Sequence, residues 1–226
     1  ASGGDRERYR AVEFFQIPDH KQLVIDGDYL RLVQGYRSAG INSFYLADLD
    51  AIERKPCQRS PIEQIVHAIG PMSRVWIDLG IATDRLELDG RWLDDLFHEN
   101  PNVSVVIATE SASGPVILDH VVARFGRTRL AVSFDYKSSR WCNAETSERE
   151  WIAACRTRRI ETLIGLDLAA VGSDSIQTTA ALCRRIRSRL PDVCYITGGG
   201  IRSAKDIQCL MDEGADELLV ASLFAS

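Results

Sequence analysis

Among the apolar runs of this chain that close on aspartate, FYLAD ends at Asp48, LAVSFD at Asp135 and TLIGLD at Asp167. Carboxylates that converge in a partly buried cleft push one another's pKa values apart, which leaves one protonated as an acid while another serves as a base. Such residues also tie loops to strand ends, and for Asp48 and Asp167 the sequence leaves both roles open. For Asp135 the plainer alternative is a strand-end carboxylate bonded to nearby backbone. Asp50 and Glu53 read as loop residues. A second chemical signal is glycine: YITGGGIRSAKDI sets Gly198, Gly199 and Gly200 between an apolar run and a helix start. Bare N–H groups ahead of a helix N-terminus admit an oxyanion, and the helix dipole favours its charge there. A tight turn is the competing reason for the triplet. LLVASLF places the backbone N–H groups of Ala221 and Ser222 at the end of the next apolar run, beside Gly199 and Gly200.

Near-continuous apolar runs occur at residues 44–48, 74–78, 103–108, 130–135, 162–167, 194–198 and 217–221. Runs without polar alternation imply a sheet covered on both faces, the habit of parallel strands flanked by helices. Helical patterns at 27–40, 90–100, 148–159 and 176–190 lie between them, so the chain reads as successive βα units. Ser203 with Asp206 has capping-box spacing for a further helix that stops at Gly214. An internal repeat sharpens this reading. Residues 44–52 overlie 163–171, which brings Asp48 onto Asp167; residues 75–81 overlie 195–201, and 105–112 overlie 218–225, all at nearly one spacing. Two half-barrels, about 11–119 and 130–226, make a single TIM (β/α)8 barrel domain over 1–226. In such a barrel the C-terminal strand ends form the functional face, and the loops after strands seven and eight commonly hold phosphate.

The 226 residues are 45% hydrophobic and carry a formal charge of −5 with both signs interspersed. No basic face or polybasic run invites nucleic acid or a membrane surface, which leaves a small molecule as the expected partner. No apolar stretch approaches the roughly 18 residues of a spanning helix, and ASGGDRERYR is too polar for a secretory leader. A cytoplasmic protein is the expectation. Six cysteines show no CxxC and no histidine at ligand spacing, so reduced thiols, no metal site and no cofactor are expected. His20, His67, His98 and His120 fall away from the strand C-termini, and Trp141 sits in a polar stretch, 137–150, that reads as weakly ordered. Nothing in the sequence speaks to oligomeric state.

FYLADLDAI, TGGGIRSAKDIQCLMDEGAD and LLVAS resemble the histidine-biosynthesis barrels HisA and HisF, from about residue 3 to the end. GGDRERYRAV and YLADLDAIE are more similar to the HisA/HisF-related branch associated with methanopterin-linked one-carbon metabolism. The resemblance implies a phosphorylated ligand at the C-terminal face and a HisA-like aldose–ketose isomerisation that pairs an aspartate of strand one with one of strand five. VSFD matches the strand-five motif and offers Asp135. In the family a strand ending in Asp precedes a GxRxxY segment; this chain opens with ASGGDRERY, as if that strand were cut away or left out. The repeat lays AVEFF (11–15) over AVSFD (131–135) and puts Phe15 where the carboxylate should be. The family seats a second phosphate on a glycine triplet after strand three, where this chain has Asp78-Leu79-Gly80. A carboxylate repels a phosphate dianion and leucine closes its approach. The strand-six turn, usually DGT, reads Val171-Gly172-Ser173, in which Gly172 and Ser173 retain the capacity to touch phosphate. These features imply an isomerase for a sugar-like metabolite with one phosphate. The alternative is a non-catalytic, HisA-derived phosphometabolite-binding protein.

Overall fold

In the computed structural model, which describes residues 11–16, 22–173, 175–221 and 223–224, all seven apolar runs become strands of one parallel sheet. A hairpin of β1 (Phe14–Gln16) and β2 (Gln22–Val24) comes first, followed by α1 (Tyr29–Ser38). Then come β3 (Ser43–Ala47), α2 (Leu49–Ile52), α3 (Arg59–Ile69), β4 (Arg74–Asp78), α4 (Thr83–Leu88), α5 (Gly90–Glu99) and β5 (Val103–Ala108). The second half holds α6 (Ile117–Phe125), β6 (Leu130–Lys137), β7 (Arg140–Trp141), α7 (Glu148–Arg158) and β8 (Thr162–Asp167). It closes with α8 (Gln177–Arg187), β9 (Cys194–Gly198), α9 (Ala204–Asp212) and β10 (Glu217–Leu219). The parallel strands lie in sequence order, β3-β4-β5-β6-β8-β9-β10, and form a nearly closed TIM barrel.

The two faces of each strand bury into different cores. Val75, Ile77, Val105, Ile107, Val132, Phe134 and Leu163 pack outward against the helices. Trp76, Val106, Ala131, Ile164 and Ile196 meet in the lumen, with Tyr45 and Leu219 packed against them. One residue from each parallel strand thus enters a shared layer, as strand alternation requires of a barrel. β5 is buried at all six positions, which explains why its sequence shows no polar alternation.

The segment overlaid on a barrel strand by the repeat, residues 11–15, does not join the sheet: β1 pairs antiparallel with β2. Phe15 is fully buried, edge-on to Tyr36 at 4.8 Å and stacked on Phe224 at 5.7 Å. Gln16 N–H donates to Phe224 O at 2.7 Å. The hairpin therefore bridges α1 to the chain beyond β10, while Arg74 reaches Glu217 at 2.8 Å to link β4 with β10.

Residues 137–150, expected to be weakly ordered, are instead built by specific bonds. β7 folds back on β6 through Lys137↔Arg140. The Asn143 amide donates to Thr109 O and Ala112 O, both at 2.7 Å, and accepts from Glu145 N–H at 2.9 Å and Thr146 N–H at 2.7 Å. Trp141 packs against Phe134 and Tyr136, and its indole N–H donates to Thr146 O at 2.8 Å. Ser147 and Glu150 then open α7 with a full capping box. Polar composition marked the segment as exposed; its order comes from satisfying remote carbonyls. Ser203 caps α9 as its spacing with Asp206 predicts.

Candidate active site

Asp48, at the end of β3, is the N-cap of α2 and accepts from Ala51 N–H at 3.1 Å. Its second oxygen takes Gln58 N–H at 2.7 Å. Asp167 accepts from Ser138 N–H at 3.0 Å, Ser139 N–H at 2.6 Å and Ala169 N–H at 3.0 Å. Ser138 and Ser139 lie at φ +51° and +63°, a left-handed conformation uncommon outside glycine, so the Asp167 carboxylate holds the β6–β7 turn in a strained shape. Both residues follow the outward parity of their strands, Phe44 and Leu46 for Asp48 and Leu163 for Asp167.

Asp135 shares the lumen parity of Ala131 on β6 and is only 3% exposed. Ser133 Oγ donates to its Oδ1 at 2.6 Å; Thr109 Oγ1 and Glu110 N–H donate to Oδ2 at 3.0 and 3.2 Å. Burial and then the Glu110 charge push its carboxyl up to about 7, with a further push from Asp78 and opposition from the Ser133 bond. Asp135 is therefore poised to give or take a proton near neutrality. Cys142 N–H donates to Asp135 O at 3.0 Å. Its thiol is pushed up to about 11 by burial, the Asp135 charge and other carboxylates, which keeps it protonated and a poor nucleophile.

Asp78, at the end of β4, also faces the lumen and is 3% exposed. It accepts from the Tyr45 hydroxyl at 2.8 Å and from Gly80 N–H at 2.9 Å. Burial, with the charges of Asp78, Asp135 and Glu110, holds the Tyr45 phenol well above its ordinary value, so it remains a donor. Sequence reasoning passed over this pair as chemistry; the available signal was that Tyr45, Trp76 and Asp78 occupy lumen positions of adjacent strands.

The glycine turn is required by the backbone. Gly199 and Gly200 lie at φ +109° and +76°, and a Cβ on Gly200 would stand 2.2 Å from Ser175 O. Side chains are thus barred by backbone conformation and by close approach. Gly199 and Gly200 N–H donate to no described group. The contrast with the repeat-related turn is direct: Gly80 N–H, the counterpart of Gly200 N–H, is taken by Asp78. Ser173 N–H donates to Ala170 O at 3.1 Å and its hydroxyl to Ser175 O at 3.1 Å. Arg202 Nη2 reaches Gly172 O at 3.4 Å.

A cavity of about 2130 Å³ occupies the barrel and is lined at its C-terminal mouth by Asp78, Glu110, Asp135 and Lys137 together with Gly172, Ser173, Gly199, Gly200 and Ala221. The structure thus gathers Asp135 and five of the expected phosphate residues around one space, whereas Asp48 and Asp167 stand outside its lining. Ser222 lies outside the described residues. Among the described residues, no cluster of His, Cys, Asp and Glu could hold a metal ion, and no helix is long and apolar enough to cross a membrane.

Comparison with known proteins agrees with this architecture. The chain is 23% identical over 218 residues to the 1-(5-phosphoribosyl)-5-((5-phosphoribosylamino)methylideneamino)imidazole-4-carboxamide isomerase of Leuconostoc mesenteroides, covering 93% of this chain and 87% of the relative. The Thermomicrobium roseum protein of the same name is 26% identical over 217 residues, covering 91% and 83%. An uncharacterized protein of Methanocaldococcus jannaschii is 23% identical over 220 residues, covering 97% and 84%. The family described as histidine biosynthesis protein matches residues 5–226, and this chain, with its parallel barrel, belongs to that family.

Proposed function

We propose that the chain is a HisA-like isomerase for a sugar-like metabolite carrying one phosphate, in the branch associated with methanopterin-linked one-carbon metabolism. The observation that carries this reading is the shared cavity: Asp135, with its carboxyl raised to about 7, borders one space with Gly199 and Gly200, whose N–H groups donate to no described group. The phosphate rests on Gly199, Gly200, Ala221 and Ser222, with Gly172 and Ser173 beside it. In an aldose-to-ketose rearrangement a proton leaves the second sugar carbon, which becomes a carbonyl, and a proton is delivered to the first. The change is internal, so no external oxidant is needed. Asp135 supplies or removes the proton, a task suited to a group titrating near the working pH. Asp48 and Asp167 serve this site by fixing the loops around it.

The preference for one phosphate is supported by the Gly80 N–H, which an incoming phosphate would need and which Asp78 already occupies at 2.9 Å. The isomerases named above carry two phosphoribosyl groups in the names of their substrates, which makes a direct comparison possible. Glycosylamines of ribose 5-phosphate, incubated with the protein in D2O, should lose the proton at the second sugar carbon by NMR, and Asp135→Asn should abolish that loss while leaving inorganic phosphate binding intact. Turnover of the two-phosphate substrate, or equal loss of turnover and phosphate binding in Asp135→Asn, overturns the proposal.

A further inference from the structure

Gly199 and Gly200 carry no side chain, and glycine adopts positive and negative φ with similar ease. The peptide between them rotates readily unless a group outside the pair fixes it. Such a group stands on the neighbouring helix. Thr179, in the first turn of α8 and only 1% exposed, donates its hydroxyl to Gly199 O at 3.0 Å, with Gly198 O at 3.4 Å. A helical threonine hydroxyl can bond back to a carbonyl of its own helix; this one crosses to the end of β9 instead. In a trans peptide the C=O and the N–H point in opposite directions. α8 lies on the outside of the barrel, where its Cys183 and Ile186 join the outer core. Holding Gly199 O toward α8 thus turns Gly200 N–H inward, toward the cavity that both glycines line.

The corresponding helix of the first half spends its first turn differently. There Arg59 donates to Asp89 at 2.7 Å, and Ser60 accepts from the Gln64 amide at 3.2 Å. The turn it adjoins is the one whose Gly80 N–H is taken by Asp78. Resting on the reading of a phosphate seat at Gly199 and Gly200, we infer that Thr179 is a positioning residue for that seat: its hydroxyl sets the plane of the Gly199–Gly200 peptide so that Gly200 N–H meets the anion without prior rearrangement. Thr179 itself does not line the cavity, so its effect on a ligand runs through the peptide. An arrangement competent to bind but only partly populated weakens affinity in proportion to its population.

Calorimetry with inorganic phosphate tests this on the native protein, on Thr179→Val, which keeps the shape and removes the hydroxyl, and on Thr179→Ser, which keeps the hydroxyl. The loss of one neutral hydrogen bond predicts that Thr179→Val binds phosphate ~5-fold more weakly, while Thr179→Ser stays within ~2-fold of native. A merely structural role would lower the urea midpoint and leave the affinity of the folded protein unchanged. The inference is overturned if folded Thr179→Val binds within ~2-fold of native, or if Thr179→Ser loses as much as Thr179→Val. Should Thr179→Val fail to fold, backbone NMR relaxation of the native, phosphate-free protein decides. Gly199 and Gly200 amides as rigid as those of β9, with order parameters of ~0.85, support the inference, and looser ones overturn it. If inorganic phosphate fails to bind the native protein, or shifts neither the Gly199 nor the Gly200 amide resonance, the phosphate seat itself falls and the role of Thr179 with it.

Discussion

Replacing Asp135 with asparagine isolates the energetic consequence of burying a carboxyl among other carboxylates. The amide keeps an oxygen for the Thr109 hydroxyl and the Glu110 N–H, which donate to Oδ2 at 3.0 and 3.2 Å. Its NH2 then faces Ser133 Oγ, 2.6 Å from Oδ1 in the native protein, and that hydroxyl can turn to accept. Shape and bonding are thus nearly conserved and the titration is removed. The native carboxyl has an ordinary value of 3.8 and is raised to about 7 on folding. A raised folded value means the folded state holds its proton more tightly, so the favourable contribution is complete below the unfolded value and is lost as pH rises through about 7. At 1.36 kcal/mol per pH unit between those values, the native protein loses up to about 4 kcal/mol that Asp135→Asn does not lose. Urea unfolding of both proteins at about pH 4.5 and about pH 8.5 measures this as a difference of differences, in which the other titrating groups largely cancel. Stability curves for the two proteins that run parallel within ~0.5 kcal/mol across that range would refute the reasoning.

Further consequences can be measured on single variants. Asp167→Ala strips the acceptor from three backbone N–H groups, two of them in left-handed residues; it should lower stability by ~3 kcal/mol in urea unfolding, with Asp167→Asn losing less. Asn143→Ala leaves the Thr109 and Ala112 carbonyls without their donor and should cost ~2 kcal/mol and speed proteolytic cleavage within residues 137–150. Gly200→Ala forces a Cβ to 2.2 Å from Ser175 O at a φ of +76°; a loss of ~2 kcal/mol or more should appear in thermal unfolding, together with weaker binding of inorganic phosphate in calorimetry.

The barrel was legible because parallel strands covered on both faces must be apolar along their whole length, and the runs at residues 74–78, 103–108, 162–167 and 194–198 match the observed β4, β5, β8 and β9. That same property hid the site. Where Val103 to Ala108 are all buried, hydrophobicity does not tell the lumen face from the helix face, so it did not separate Asp48, Asp135 and Asp167. Position along the alternation separates them: Asp135 stands an even number of residues from Ala131 in the lumen layer, and Asp167 an even number from Leu163 in the outer one. Counting back from each terminal charge to the bulkiest interior residue would have found Asp78 as well, two residues after Trp76. Other features were beyond local reading. The order of residues 137–150 depends on Asn143 meeting carbonyls more than thirty residues earlier in the chain, and residues 14–16 pair in a hairpin with Phe15 set against Tyr36 and Phe224, contacts far apart in sequence.

The two halves of the barrel, alike enough to reveal a repeat, differ most at the paired turns after β4 and β9. Both turns need glycine at positive φ, +58° at Gly80 and +76° at Gly200, so the backbone is preserved while the chemistry diverges. At Gly200 the preceding residues have no side chain and its N–H faces the cavity mouth unclaimed by any described group. At Gly80 the residue two positions earlier is Asp78, whose oxygen folds back onto the N–H at 2.9 Å. A single side chain thus consumes the amide's hydrogen-bonding capacity within the protein at one turn, while at the other the amide donates to no described group. On the function proposed above, the carboxylate that fills this turn is what disfavours a second phosphate there.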